Sequence, residues 1–491
     1  MGDKGVKKKD IKDKDIKEKN IEEKDIKKKD KRESANPLGT LPVGRLLLKF
    51  AIPSIIAMLV TSLYNIVDQI FIGQSVGELG NAATNIAFPL TTCCLAISLL
   101  FGVGGSSAFN LSMGAGEKKE AAHYVGNSVM LMLICGIVLF GISQIFLEPM
   151  LRFFGSPEEV LAYAKTYTRI TSVGFPFAII TTGGGHLIRA DGRPKIMMMC
   201  NLTGAAINTA LDALFVFGFS WGIAGAAAAT VIGQVIAAVL AIYYLIHYQT
   251  VQLEWKHLRP QWRFVSRVMS LGTAPCSNQL AMTVVQIVMN KTLKYYGSMS
   301  VYGEAIPIAC AGIISKVNML FFSFIIGLSQ SLQPIASFNY GAKQYIRVKQ
   351  AFQKAFFAGA ILSIAAFVLF QTCPRQIISI FGEGSEEYFL FSISYFKIFL
   401  FFTFWNFMQP ITSNFFTAIG KPQRGTFLSL TRQVIFLIPL ILILPLFVGI
   451  HGVMYAGMVS DGLAGIVAII MMLREFRLPV YSTRKKGLDS A

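Results

Sequence analysis

The sequence predicts an all-α integral membrane protein, with twelve transmembrane helices arranged as two pseudo-symmetric six-helix bundles. Three observations predict it. Hydrophobic residues make up 53% of the 491 and charged residues 15%, at a mean hydropathy of +0.54; soluble domains carry about 25% charged residues. Apolar runs of the ~20 residues that span a bilayer recur along the chain after its first forty positions. Motifs of the first half also return in the second at a nearly constant offset.

The first segment is unlike the rest. Residues 1–33 hold fourteen Lys/Arg and ten Asp/Glu, in a five-residue repeat that places single isoleucines at Ile11, Ile16, Ile21 and Ile26. A period of five fits neither helix nor strand, and isolated isoleucines cannot bury a core, so residues 1–40 are expected to be a disordered charged tail. No apolar core follows the basic start, which excludes a secretory signal.

Apolar runs then predict spans near 46–72, 82–112, 122–147, 163–188, 196–218 and 223–247, and again near 268–296, 305–340, 351–372, 388–418, 426–447 and 452–473. This divides the chain into an N-lobe (41–247), a polar linker (248–265), a C-lobe (266–475) and a C-terminal tail (476–491). The seven cysteines lack CxxC spacing and read as helix-packing residues rather than metal or redox ligands.

Loop charge predicts direction. The even-numbered connections hold fourteen basic residues: Lys118, Lys119; Arg189, Arg193, Lys195; Lys256, Arg259, Arg263, Arg267; Lys343, Arg347, Lys349; Lys421 and Arg424. The odd-numbered ones hold Arg152 and Arg375. By the positive-inside rule, the even loops and both termini are cytoplasmic. The net charge of +18 thus points to loops facing an anionic leaflet, not to nucleic acid.

The repeat is explicit. Gly114-Ala115 returns as Gly341-Ala342, 227 residues on; Ala190-Asp191-Gly192-Arg193-Pro194 returns as Ala418-Ile419-Gly420-Lys421-Pro422, at 228; and Gly222-Ile223-Ala224-Gly225 returns as Gly449-Ile450-His451-Gly452, at 227. Pro53 in the first span pairs with Pro275 in the seventh. Six helices per unit give both copies one orientation, a parallel repeat of the kind that encloses a midplane cavity and alternates access.

Ionisable side chains inside spans mark function more sharply, because a charge at the bilayer centre costs ~2.5–3.5 kcal/mol on insertion scales. Asp68 lies in the first span, within Tyr64-Asn65-Ile66-Val67-Asp68-Gln69. Asn208 and Asp212 share a face of the fifth, four residues apart, and Thr230 ends the small-residue run of the sixth. Two carboxylates, an amide and a hydroxyl suit a proton or a small hard cation. Spacing alone does not show that the first span meets the fifth. In the second half, Lys316, Lys397, Arg432 and Asp461 also fall within spans and are expected to pair structurally. The five histidines show no HExxH-like spacing, which disfavours an intramembrane enzyme; a channel is a further alternative, disfavoured by the duplicated architecture.

FAIPSIIAMLVTSLYNIVDQIFIGQSVG, RADGRPKIMMMCNLTGAAINTALDALFVFG and WGIAGAAAAT resemble signatures of the multidrug and toxic compound extrusion (MATE) family, and GLSQSLQPIASFNYGA resembles its MepA-like bacterial branch. The resemblance covers residues ~41–475. It implies a MATE fold and antiport of amphipathic, often cationic drugs against H⁺ or Na⁺, without further cofactor, by a monomer in the bacterial plasma membrane among its lipids. It also implies that Asp68, Asn208, Asp212 and Thr230 form the coupling site, with Na⁺ a possible ligand there. Another branch uses acidic residues on spans seven and ten; none lies in the body of either here, so coupling is expected in the first half. Tyr64, Asn65, Gln279, Gln330, Gln333, Asn406 and Gln409 are candidates to line the substrate cavity. A lipid-linked oligosaccharide flippase is the alternative that the second-half cations keep open.

Overall fold

The computed structural model describes residues 36–300, 305–380 and 386–481; the pentad-repeat tail and the last ten residues lie outside them. The described residues are helical almost throughout, without strands. The spans of the first half are α1 (Val43–Val76), α2 (Glu78–Ala115), α3 (Lys118–Ile145), α4 (Glu158–Thr171 and Phe175–Ala190, joined by the 3-10 turn Ser172–Gly174), α5 (Pro194–Asp212, continuing as the π-helix Ala213–Gly218) and α6 (Gly222–Ile246). Those of the second are α7 (Trp262–Ser298), α8 (Ala305–Gly341), α9 (Tyr345–Thr372), α10 (Glu386–Phe399 and Met408–Ala418), α11 (Pro422–Leu430, the π-helix Thr431–Leu437 and Ile438–Val448) and α12 (His451–Phe476).

Ten of these are long and apolar enough to cross a membrane by length and composition. The other two, α4 and α7, are diluted by polar stretches such as Ser277-Asn278-Gln279, yet both pack along α2 within the same body. Most helices outrun the apolar runs that predict them. Backbone hydrogen bonding continues through the polar flanks, so α7 begins at Trp262 rather than near 268.

Three features trace to the repeat. Pro53 and Pro275 both sit inside their helices, α1 and α7. Gly192 and Gly420 end α4 and α10 with φ of +84° and +78°, a left-handed turn that glycine adopts without strain. The third such pair is unequal: Gly116 after α2 has φ +87°, while its counterpart Lys343 after α8 has φ +57°.

The expected tail boundary at 40 is corrected. Pro37–Thr40 forms one helical turn capped by Asn36, and Leu38 is buried. Asn339 of α8 donates Nδ2 to Leu38 O at 2.9 Å, and Arg347 of α9 donates to Leu41 O at 2.7 Å. The N-terminal end of α1 is thereby held to the C-lobe. The linker is fixed as well. Asn127 of α3 donates to His257 O at 3.0 Å and accepts from Gln261 N at 2.8 Å, while Asp191 accepts from Tyr244 Oη, Gln249 N and Thr250 N at 2.6, 3.0 and 3.1 Å.

The lobes meet where α2 packs on α7 and α8, and α1 on α8. Glycines make this possible. A Cβ on Gly104 would lie 2.0 Å from Val268 O, one on Gly272 1.8 Å from Leu100 O, and one on Gly327 2.7 Å from Ile55 Cα. Such backbone-to-backbone approach is what small residues allow between membrane helices. These contacts, with Gln333 of α8 donating to Ser106 and Ser107 of α2 at 2.8 and 2.9 Å, close the even-loop half. Nearer mid-span, Ser62 Oγ of α1 lies 2.7 Å from Ser323 Oγ of α8. Beyond it Asn65 and Gln69 of α1 and Lys316 of α8 are exposed.

Candidate cation site and inter-lobe seam

α1 packs along α5, and α5 along α6. The α5–α6 approach depends on Gly204 and Gly233: a Cβ on Gly233 would sit 2.9 Å from Gly204 O and 2.9 Å from Asn208 Cβ. Asn208 Nδ2 thus reaches Thr230 Oγ1 at 3.4 Å. Directly after Asp212 the helix widens into its π segment, a departure common at functional sites.

Asp68, Asn208, Asp212 and Thr230 are therefore brought together. Asp212 is fully buried and Asn208 nearly so, and the Asp68 and Asp212 carboxyl groups lie within hydrogen-bonding reach of each other. Asp68 Oδ1, both oxygens of Asp212 and Asn208 Oδ1 are buried without a donor. Buried acceptors are normally satisfied. A cluster of four orphaned oxygens beside a hydroxyl fits a proton shared between carboxylates, or a small cation with oxygen ligands. Tyr64 lies one helical turn before Asp68 on α1, and Tyr167 of α4 packs against the cluster of Ile72, Val216 and Ala226 from α1, α5 and α6. Sequence reasoning missed Tyr167, since nothing in its spacing ties the outer end of α4 to α1.

The seven residues expected to line a substrate cavity are not brought to one place. Tyr64 is one turn from Asp68, Asn65 is exposed and donates to Thr61 O at 2.8 Å, and Gln279 is half-buried on α7. Gln330 and Gln333 are buried in the even-loop half of the seam, facing Met58 of α1 and Ser106 and Ser107 of α2 respectively. Asn406 and Gln409 are buried inside the C-lobe, donating to Asp461 Oδ2 at 2.7 Å and to Leu428 O at 3.1 Å.

The second-half charges divide. Arg432 forms an ion pair with Asp461 and lies over the Phe322 ring, as expected of them. Lys316 and Lys397 are exposed, with no carboxylate partner among the described residues, contrary to the expected pairing. Arg189 is corrected too. It is not a loop cation but the second-last residue of α4, buried to 4% exposure at the seam.

Two six-helix lobes joined by a linker, with a buried acidic site in the first, define a membrane transporter rather than an enzyme. The sequence model of the MatE family matches residues 53–214 and 276–443, one stretch in each lobe. The chain belongs to the MatE family. It is 22% identical over 441 residues to the multidrug export protein MepA of Staphylococcus aureus (strain MSSA476), spanning 88% of this chain and 95% of that one. It is 23% identical over 446 residues to MepA of Staphylococcus haemolyticus (strain JCSC1435), spanning 90% and 94%. The fold is similar to an outward-facing multidrug resistance MATE family transporter of the MOP superfamily, with a TM-score of 0.84 at 21% identity over 91% of this chain and 98% of that one. A MOP superfamily transporter from Pyrococcus furiosus is similar at a TM-score of 0.83 and 21% identity, with the same coverage.

Proposed function

We propose that this chain exports amphipathic, cationic small molecules from a bacterial cell by antiport against H⁺ or Na⁺, as a monomer without a further cofactor. The observation that carries the reading is the set of orphaned acceptor oxygens on Asp68, Asp212 and Asn208, next to the hydroxyl of Thr230. Two carboxylates this close repel unless a proton or cation lies between them. Loading or emptying the site changes the packing of α1 on α5 and α6, and α1 is the helix that touches the other lobe through Ser62 and Ser323. A ligand shifts the two facing states only through its different affinity for them, ~1–3 kcal/mol in typical couplings. In the reading with cytoplasmic even loops, the seam is closed on the cytoplasmic side.

The MepA proteins are named for multidrug export, which supports the cargo class. Of the second-half cations that keep the flippase alternative open, Arg432 is matched by Asp461, whereas Lys316 and Lys397 have no carboxylate partner among the described residues. The test is ethidium efflux from vesicles containing the full chain, under proton and sodium gradients imposed one at a time. Saturable efflux driven by either ion supports the proposal; efflux indifferent to both, or movement of a lipid-linked anion in its place, refutes it.

A further inference from the structure

A second polar cluster lies apart from the cation site, at the even-loop half of the seam. Ser106 and Asn110 of α2, His186 and Arg189 of α4, and Gln330 and Gln333 of α8 line one narrow pocket. Arg189 is 4% exposed, and its guanidinium has neither an ion pair nor a hydrogen bond among the described residues. Asn110 Oδ1, His186 Nδ1 and Gln330 Oε1 are likewise buried without partners. The equivalent of Arg189 at the repeat offset of 228 is Thr417, so the charge belongs to one lobe only.

The pocket is split by the lobe boundary. α4 belongs firmly to the N-lobe, where a Cβ on Gly183 would meet Met132 Sδ at 2.1 Å and one on Gly185 would meet Met197 Sδ at 2.5 Å; Gln330 and Gln333 travel with the C-lobe. A guanidinium held at 4% exposure without a counter-charge among the described residues raises the free energy of the closed seam, because uncompensated buried charge is strongly unfavourable. Parting the lobes on this side relieves it. It also presents the Arg189 guanidinium, a planar fork of N–H donors suited to an anion, and lets the orphaned Asn110 and Gln330 carbonyl oxygens reach water.

We propose that Arg189, with His186, Asn110, Gln330 and Gln333, forms an anion site that becomes available when the even-loop side opens, and that anion binding there stabilises the inward-open state. The proposal rests on the alternating-access reading above. The anionic group comes either from a small inorganic ion or from a lipid headgroup.

Hydrogen exchange of the full chain tests it, followed in the seam segments 103–114 and 330–341. Chloride is titrated in phosphatidylcholine vesicles at constant ionic strength against a bulky anion; in a second arm, phosphatidylglycerol is added without chloride. We expect at least roughly fivefold faster seam exchange in one arm or both, the lower end of ordinary couplings, and the responding arm identifies the source. Arg189→Gln should slow seam exchange and abolish the response, while Arg189→Lys keeps it. Faster basal exchange in Arg189→Gln would mean that the guanidinium latches the seam, and would overturn the proposal. So would an anion response unchanged by that substitution, or no response in either arm while drug still alters seam exchange. If neither drug nor ion gradient alters the seam at all, the alternating-access reading itself fails.

Discussion

Gly114 and Gly341 close the seam reciprocally: a Cβ on Gly114 would lie 2.0 Å from Phe338 O, and one on Gly341 would lie 2.1 Å from Leu111 O. Leu111 and Phe338 are themselves 227 residues apart, as are the two glycines, so α2 and α8 present the same surface to each other across the repeat. Added methyl groups there meet backbone, which cannot yield as a flexible side chain would. Gly114→Ala and Gly341→Ala should each weaken even-side closure by ~1–3 kcal/mol, the usual cost of overpacking. Alkylation of a cysteine placed at Leu111 checks this, and should speed up in both variants. Gly141→Ala is the control, because nothing lies within 4 Å of its Cβ position.

Arg432 and Asp461 hold α11 to α12 inside the C-lobe, with side-chain exposures of 11% and 1%. Removing one partner strands the other, so Arg432→Met should destabilise the protein by ~3–5 kcal/mol. Adding Asp461→Leu should recover most of that loss, although Asn406 then loses its acceptor. Thermal unfolding in one detergent compares the three proteins; a double variant no better than the single would show that the pair's worth is not electrostatic.

Lys343 takes the left-handed conformation that its repeat counterpart Gly116 takes without strain. Lys343→Gly should raise stability by up to about 1 kcal/mol, since the left-handed penalty of about 1–2 kcal/mol is partly offset by glycine's freedom in the unfolded chain. Gly116→Lys should lower it. Unfolding midpoints of the two variants are expected to move in opposite directions.

The loop Gly192-Arg193-Pro194 is expected in the cytoplasm by the fourteen-to-two count of basic residues. A cysteine at Arg193 should react with a membrane-impermeant maleimide only after cells are broken. Labelling in intact cells would invert the topology, and the direction of export with it.

The repeat was legible because it is written in residues with backbone consequences: Gly192 and Gly420 must turn left-handed, and Pro53 and Pro275 interrupt equivalent helices. The four N-lobe residues stood out because ionisable and amide groups are costly in apolar runs. Their meeting did not, since it depends on α1 lying against α5, which no spacing encodes. Gln330 and Gln333 were visible as polar residues within a span, but their partners lie on the other lobe. Arg189 read as a loop cation because it ends an apolar run next to Asp191 and Gly192; only the packing of α4 against α2 and α8 reveals it as buried. Lys316 and Lys397 were expected to pair because they lie in spans, yet they point outward from the C-lobe packing.

The central claim is that the Asp68–Asp212 pair couples ion to cargo. Its most direct test is gradient-driven ethidium efflux from vesicles containing wild type, Asp68→Asn or Asp212→Asn, with ethidium binding measured in parallel. Each substitution keeps size while removing the charge that a proton or cation would neutralise. We predict near-normal folding and residual ethidium binding but efflux reduced to the level of empty vesicles, with Thr230→Ala milder because only a neutral ligand is lost. Wild-type efflux rates in both asparagine variants, under the gradient that drives the wild type, would contradict the account.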